Sequence, residues 1–241
     1  MASCLIVKRI ITLQVLKYEK YNIPEHMREQ CAIVTTTPEK IEWFISLSTL
    51  TCSPCVPSSA RYFFTFNHGI MSLTTPSGTV PLLCDIPLDI HNHALYKLIK
   101  KYDVPNTTII DATGGLGKDS LIVLYTSDNT LISYERNPVL ALALTWLAHI
   151  HNDPRWIIRY DDAVHCETHA HIWLIDPMFP PHPKTARSQK RLQIIQSLAH
   201  EENYIPLVTH ARQHGTHVFL KQPPLKKNAH AYGLWSKIEA T

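Results

Sequence analysis

The sequence predicts an α/β fold built on a parallel sheet, preceded by a smaller α+β domain. Three observations carry that expectation. From residue 107 onward, short apolar runs alternate with helix-compatible runs, the rhythm of consecutive βα units. Four successive strand-like runs end in an acid, at Asp111, Glu135, Asp161 or Asp162, and Asp176. Before about residue 86 the texture differs, with short strands and turn signals in place of that rhythm. The expected domains are therefore 1–86, a small α+β N-terminal domain, and 87–241, the parallel-sheet domain.

With 241 residues, 45% hydrophobic and 18% charged, the chain can bury an ample core as one large or two modest domains. A formal charge of +3 is mild, so any nucleic-acid affinity has to come from a local patch. Cys4, Cys31, Cys52, Cys55, Cys84 and Cys166 are scattered, which suits reduced thiols better than a disulfide framework. Lys8 and Arg9 break the apolar start, and no signal-peptide core or membrane-length run follows. A cytoplasmic protein without a membrane span is expected.

In chain order, Thr12 to Tyr21 suggests a helix, and Cys31 to Thr35, Ile41 to Ser46, Arg61 to Phe66 and Ile70 to Leu73 read as strands. Residues 48 to 60, rich in Ser, Thr, Cys and Pro, read as a loop. The pair Cys52 and Cys55 has the spacing of a zinc or dithiol motif, but no second ligand pair follows nearby. Idle thiols are the better reading. Residues 88 to 101 place apolar side chains at 88, 90, 95, 98 and 99, an amphipathic helix entering the second domain.

Thr107 to Ile110 form a β-branched strand, and Asp111 follows at its carboxyl end. Gly114, Gly115 and Gly117, three of the chain's 7 glycines, then precede a helical run from Lys118 to Tyr125. Such a turn supplies positive φ and lets a ligand approach the backbone. It stands where open α/β sheets bind ligands, beyond the carboxyl ends of the strands. Its spacing is not the dinucleotide fingerprint, and an acid followed by this turn resembles motif I of S-adenosylmethionine (SAM)-dependent methyltransferases.

The remaining strands are Leu131 to Tyr134, Trp156 to Tyr160, Ile172 to Ile175 and His217 to Leu220. Helices are expected over Val139 to Ile150, opened by Pro138, and over Ser188 to His200. Helix caps explain any one of the strand-end acids, but not easily four along one edge. Glu135 stands where an acid accepts from ribose hydroxyls. Asp162, with Asp161 as its competitor, suits an exocyclic adenine amine. With Asp111 and the backbone of Gly115 to Asp119, these residues would bracket an adenosyl group with an amino-acid tail, and Asp111 and Asp119 suit a cationic sulfonium.

Asp176-Pro177-Met178-Phe179 resembles the (Asp/Asn/Ser)-Pro-Pro-(Tyr/Phe) motif of enzymes that methylate planar nitrogens. The lone pair of such a nitrogen is delocalised and must be freed by pyramidalisation. Asp176 and the Pro177 carbonyl, accepting its N–H bonds, would favour that geometry, while Phe179 stacks on the base. Downstream, Lys184, Arg187, Lys190 and Arg191 occur with no acid between Asp176 and Glu201. Beside a base pocket they suit phosphates, with Lys221 adding to them. The histidines at 165, 169 and 171 lack zinc-site spacing, and no metal is expected.

The stretches around Asp111 to Asp119, Glu135 to Pro138 and Leu174 to Pro180, with Met178 in place of the broader motif's second proline, resemble the ribosomal RNA small subunit methyltransferase J family over about residues 100 to 222. The resemblance implies a Rossmann-like class I SAM-dependent methyltransferase domain. It also implies methyl transfer to N2 of a guanine near the 3′ end of 16S rRNA, with 16S rRNA or the small ribosomal subunit as partner. By position, the family's SAM contacts fall on Lys118, Asp119, Glu135, Arg136 and Asp176. The family's Ser-Ser pair after the third strand is replaced by Asp162 and Ala163, which removes two hydroxyl donors.

Overall fold

The computed structural model describes residues 25, 30–48, 50–86, 88–177, 194, 198, 203–222 and 234–238. The chain separates into two compact units, Met1–Leu83 and Cys84–Thr241.

The first unit holds a five-stranded sheet of β1 (Cys31–Val34), β2 (Thr51–Ser53), β3 (Tyr62–Asn67), β4 (Ile70–Thr75) and β5 (Gly78–Pro81), in the order β2-β1-β3-β4-β5. β1 runs parallel to both neighbours, and β3, β4 and β5 form a meander. His68 and Gly69, with φ of 48° and 82°, close the first hairpin in the left-handed region that a two-residue turn demands. The strand expected over Ile41 to Ser46 is instead a helix, α1 (Glu42–Leu47). Ile41 at its N-cap and Phe44 and Leu47 within it are buried, a period of three that a strand would have split between two faces. The expected loop 48 to 60 contributes β2, three residues long. The helix expected over Thr12 to Tyr21 lies outside the described residues.

The second unit opens with α2 (Ala94–Tyr102), followed by β6 (Thr108–Asp111), α3 (Lys118–Thr126), β7 (Thr130–Tyr134), α4 (Pro138–His151) and β8 (Trp156–Arg159). Then come β9 (Ala170–Ile175), α5 (Ile205–His214), β10 (Gly215–Gln222) and β11 (Leu234–Ile238). The sheet order is β11-β10-β9-β6-β7-β8, parallel throughout except for β11 at the edge. Consecutive residues of the central strands are buried, Ile109 and Ile110, Ile172 to Ile175, Val218 to Leu220, as a sheet covered on both faces requires.

Helix α4 starts at Asn137, whose side chain accepts from the N–H groups of Val139 and Leu140, with Pro138 at the first helical position. Its residues Pro138 to Ala148 are all buried, so it is a core helix rather than an amphipathic one. Helix α5 and strand β11 were not foreseen from the sequence. The helix expected over Ser188 to His200 lies largely outside the described residues, although Ile194 and Leu198 within it are buried.

The topology marks the place where open α/β sheets take ligands. From β6 the chain moves one way to β7 and β8, then returns to lay β9 on the other side of β6. The carboxyl ends of β6 and β9 therefore flank a switch point, where diverging connections leave a crevice in folds of this class.

Candidate active site

The glycine turn is shaped by two different demands. Gly115 and Gly117 have φ of 52° and 70°, left-handed values that side chains resist. Gly114 and Gly117 are pressed onto α4: a Cβ on Gly114 would stand 2.6 Å from Leu144 Cδ2, and one on Gly117 2.9 Å from Leu144 Cδ1. The turn is tied to β7 by backbone donation from Gly114 to the Tyr134 carbonyl at 2.8 Å. Gly115 N–H donates to Glu135 Oε2 at 2.8 Å.

Asp111 lies beneath this turn, 2% exposed. One oxygen accepts from the Thr113 N–H at 3.2 Å and the other from the Ser120 hydroxyl at 2.5 Å. With its hydrogen committed to Asp111, Ser120 must accept from Ser133 at 2.9 Å, and Ser133 accepts from the Trp156 indole at 2.9 Å. The result is one directed chain from β8 through β7 and α3 to β6. Burial pushes the Asp111 carboxyl up, to about 7, against the Ser120 bond; the Asp119 charge raises it further. The Asp111 carboxylate, expected at the cofactor, is bonded inside the turn, where its two donors come from the turn and from α3.

Glu135, 9% exposed, accepts from Gly115 and, through its other oxygen, from the Asn137 N–H at 2.7 Å. A carboxylate, an acceptor with about four lone-pair sites, thus stands at the end of β7. Asp162 caps the short 3-10 turn Ala163–His165 by accepting from the Val164 N–H, and its second oxygen meets Arg136 at 3.5 Å. Arg136 and Asp162 are thereby linked across the ends of β7 and β8. Asp161 is engaged elsewhere, with the Asp162 N–H and the His165 ring at 2.9 Å. Ala163 has its side chain buried, so a contact there falls to its backbone.

On the other side of the switch point, Asp176 follows β9. Its N–H donates to the Thr113 hydroxyl at 2.8 Å, joining it to the glycine turn. Its Oδ2 accepts from the Lys221 ammonium at 2.5 Å, and the same ammonium donates to Asp119 Oδ2 at 3.1 Å. Trp235, paired with Lys221 across β10 and β11, has its ring 5.4 Å from that nitrogen. Burial works against the Lys221 charge, but the Asp119 and Asp176 carboxylates outweigh it and hold its pKa above the ordinary lysine value. Burial raises Asp176 to about 6; Lys221 opposes that rise and Asp119 adds to it. A third of the Asp176 side chain stays open to solvent, which tempers the effect of burial.

Lys221 was expected to grip phosphate; its ammonium is instead enclosed between two carboxylates with 19% of the side chain exposed. Lys118 and Asp119 begin α3, at the crevice. Pro177 is buried next to Asp176. Phe179, Lys184, Arg187, Lys190 and Arg191 lie outside the described residues. Sequence reading missed Thr113, Ser120, Ser133, Trp156 and Trp235. The first two stand within nine residues of Asp111, but only the strand register reveals what the others face.

The arrangement offers oxygen acceptors along β6 to β8, a glycine turn for close approach, and a net negative cluster of Asp119, Asp176 and Lys221. That set fits SAM: hydroxyls and an adenine amine on one side, a cationic sulfur on the other. Among the described residues, no three His, Cys, Asp or Glu side chains gather as a metal would need. Nor is any described helix long and apolar enough to cross a membrane.

Residues 89–231 match the family described as "Putative SAM-dependent methyltransferase". A protein of Coxiella burnetii (strain RSA 331 / Henzerling II) named Ribosomal RNA small subunit methyltransferase J is 29% identical over 133 residues, 50% of this chain and 52% of that protein. Its namesake in Citrobacter koseri is 30% identical over 130 residues, 48% of this chain and 51% of that protein. The chain spans about half the length of the curated relatives it matches. The crystal structure of a SAM-dependent methyltransferase from Neisseria gonorrhoeae superposes with a TM-score of 0.60 at 20% identity, covering 86% of this chain and 93% of the other. This second likeness speaks for the fold, a Rossmann-like class I methyltransferase fold.

Proposed function

We propose, for a chain that belongs to this family of SAM-dependent methyltransferases, that it transfers a methyl group to the exocyclic N2 of a guanine near the 3′ end of 16S rRNA. The carrying observation is Asp176 followed by Pro177 at the carboxyl end of β9, tied through Thr113 to the glycine turn. The relatives named for small-subunit rRNA support the acceptor class.

Bound SAM supplies an electrophilic methyl on a cationic sulfur. Glu135 takes the ribose hydroxyls, Asp162 and the Ala163 backbone take the adenine edge, and the backbone from Gly115 to Asp119 lies along the amino-acid tail. Lys118, Arg136 and Asp176 complete that contact set. Asp176 Oδ1 and the Pro177 carbonyl then accept the two N–H bonds of the target amine. This draws its lone pair out of conjugation and stabilises the charge that develops. As the N–C bond forms the S–C bond breaks, and the surplus proton on nitrogen passes to Asp176 or to water. Phe179 stacks on the base, and Lys184, Arg187, Lys190 and Arg191 hold the RNA backbone. No metal takes part, and such a substrate is met in the cytoplasm.

The same motif serves adenine N6 and glutamine amides, so the test must identify the product. Small ribosomal subunits from cells lacking this activity would be incubated with the protein and methyl-labelled SAM, then digested to nucleosides. Label in N2-methylguanosine is expected. Label in another nucleoside or in protein moves the acceptor, and RNA binding without SAM binding would indicate a non-catalytic relative.

A further inference from the structure

Lys221 is the residue of the site whose place the proposed reaction leaves unexplained. It is separated from Asp119 by 102 residues and from Asp176 by 45, yet its ammonium contacts one oxygen of each. The Trp235 ring lies against it from the edge strand, and a cation held over an aromatic face loses less on leaving water. The charges that bear on this ammonium are Asp119 on α3 and Asp176 after β9. Burial favours the neutral form of His93, at the start of α2, which feels Lys221 together with Asp119, Lys118 and Asp89; Asp111, at the end of β6, feels Asp119 and Asp176.

We infer that Lys221 is a positioning residue for methyl transfer, which holds the Asp176 carboxylate ionised and turned so that Oδ1 alone faces the incoming amine. The geometry gives it both tasks. Occupying Oδ2 fixes the rotation of the carboxylate, since the Asp176 backbone is already anchored on Thr113. A positive charge in direct contact also opposes the crowding of two carboxylates in one half-buried site. Without it, Asp176 would gain a proton near neutral pH and present a donor where the amine requires an acceptor. Asp119, bonded to the same ammonium, would turn away from the start of α3, where the cofactor tail lies. The inference rests on the methyl-transfer reading given above.

The test is the pH dependence of Lys221→Met beside Lys221→Arg. An opposite charge at contact distance shifts a carboxylate by roughly one to three pH units, so the acid limb of the Lys221→Met rate profile is expected to rise by about that much. Activity lost at neutral pH should return as the pH is raised through that shifted limb. Lys221→Arg should keep the wild-type limb. In an Asp176→Asn background, where the amide carbonyl accepts without titrating, Lys221→Met should leave the profile flat. A loss in Lys221→Met that is the same at every pH overturns the inference.

A second measurement needs no activity: the carboxyl carbon of Asp176, followed by NMR through a pH titration and assigned with Asp176→Asn. An unmoved midpoint in Lys221→Met overturns the inference even if the wild type methylates guanine. A raised midpoint sustains the ionising role even if the wild type methylates something else. The failure of the reaction reading and the failure of the Lys221 role are thereby told apart. If Lys221→Met does not fold, Lys221→Gln gives the same comparison.

Discussion

Gly115 donates its backbone N–H to the Glu135 carboxylate, 2.8 Å away and 20 residues later in the chain. The acid proposed to take the ribose is therefore also a tie for the glycine turn. The turn and the end of β7 are one hydrogen-bonded unit. Glu135→Gln keeps the size but offers one acceptor oxygen for two backbone donors, Gly115 and Asn137. A lost charge-assisted bond is worth about 1.5–3 kcal/mol, so the dissociation constant for SAM should rise roughly tenfold or more. Calorimetry on the folded variant measures it, and unchanged affinity would remove Glu135 from the site.

Glycine substitutions should rank by what each glycine does. Gly115→Ala meets only the Thr113 carbonyl at 3.8 Å, so its cost is that of the left-handed backbone, about 1–2 kcal/mol. Gly117→Ala bears the same backbone cost and a 2.9 Å clash with Leu144 as well. Its melting temperature should fall further than that of Gly115→Ala. Gly114→Ala, 2.6 Å from Leu144 but free of positive φ, should be partly rescued by Leu144→Ala. Equal losses at all three positions would contradict the division of labour drawn here.

Asp111 and Asp176 make the ligand-free protein less stable as pH rises. Both have folded-state pKa values above the unfolded value of 3.8, at about 7 and about 6. Between those limits the folded state binds more protons than the unfolded chain, and linkage then gives a falling stability. The decline should span about pH 4 to 7, and Asp111→Asn should flatten its upper part. Thermal melts of the wild type and Asp111→Asn decide it, because the lowered pKa values of the half-buried His93 and His149 add the opposite slope in both proteins; a difference between the two that stays constant from pH 5 to 7 would contradict the buried state of Asp111.

Asn137 caps α4 and, through its amide nitrogen, donates to the Leu198 carbonyl at 2.9 Å. Asn137→Ala removes the cap and that tie, at a cost of about 1–2 kcal/mol. Asn137→Asp keeps the cap but turns a second acceptor oxygen toward the Leu198 carbonyl, so it should recover only the part of the stability that the cap supplies. Urea unfolding of the two variants separates these contributions.

The acid at each strand end was legible because the βα rhythm is a local pattern, and Asp111, Glu135, Asp162 and Asp176 all stand at the carboxyl edge of the sheet. The glycine turn was legible for the same reason: positive φ is a property of single residues. Ile41 to Ser46 misled, since its apolar content fits strand or helix and only the three-residue spacing of buried positions separates them. The partners of Asp111 were not legible either, because a strand-end acid can face the crevice or the turn, and only the packing of α3 brings Ser120 onto it.

The amino-acid sequence by itself determined the parallel-sheet domain, the left-handed glycine turn after β6, and the Asp-Pro step after β9, since each depends on residues adjacent in the chain. The tertiary structure alone decided which charges meet. It closed Lys221 between Asp119 and Asp176, ran one hydrogen-bond chain from Trp156 through Ser133 and Ser120 to Asp111, and set Trp235 beside the site from an edge strand. Those contacts join segments up to about a hundred residues apart, and strand order and register bring them within reach. Local propensity carries no record of either.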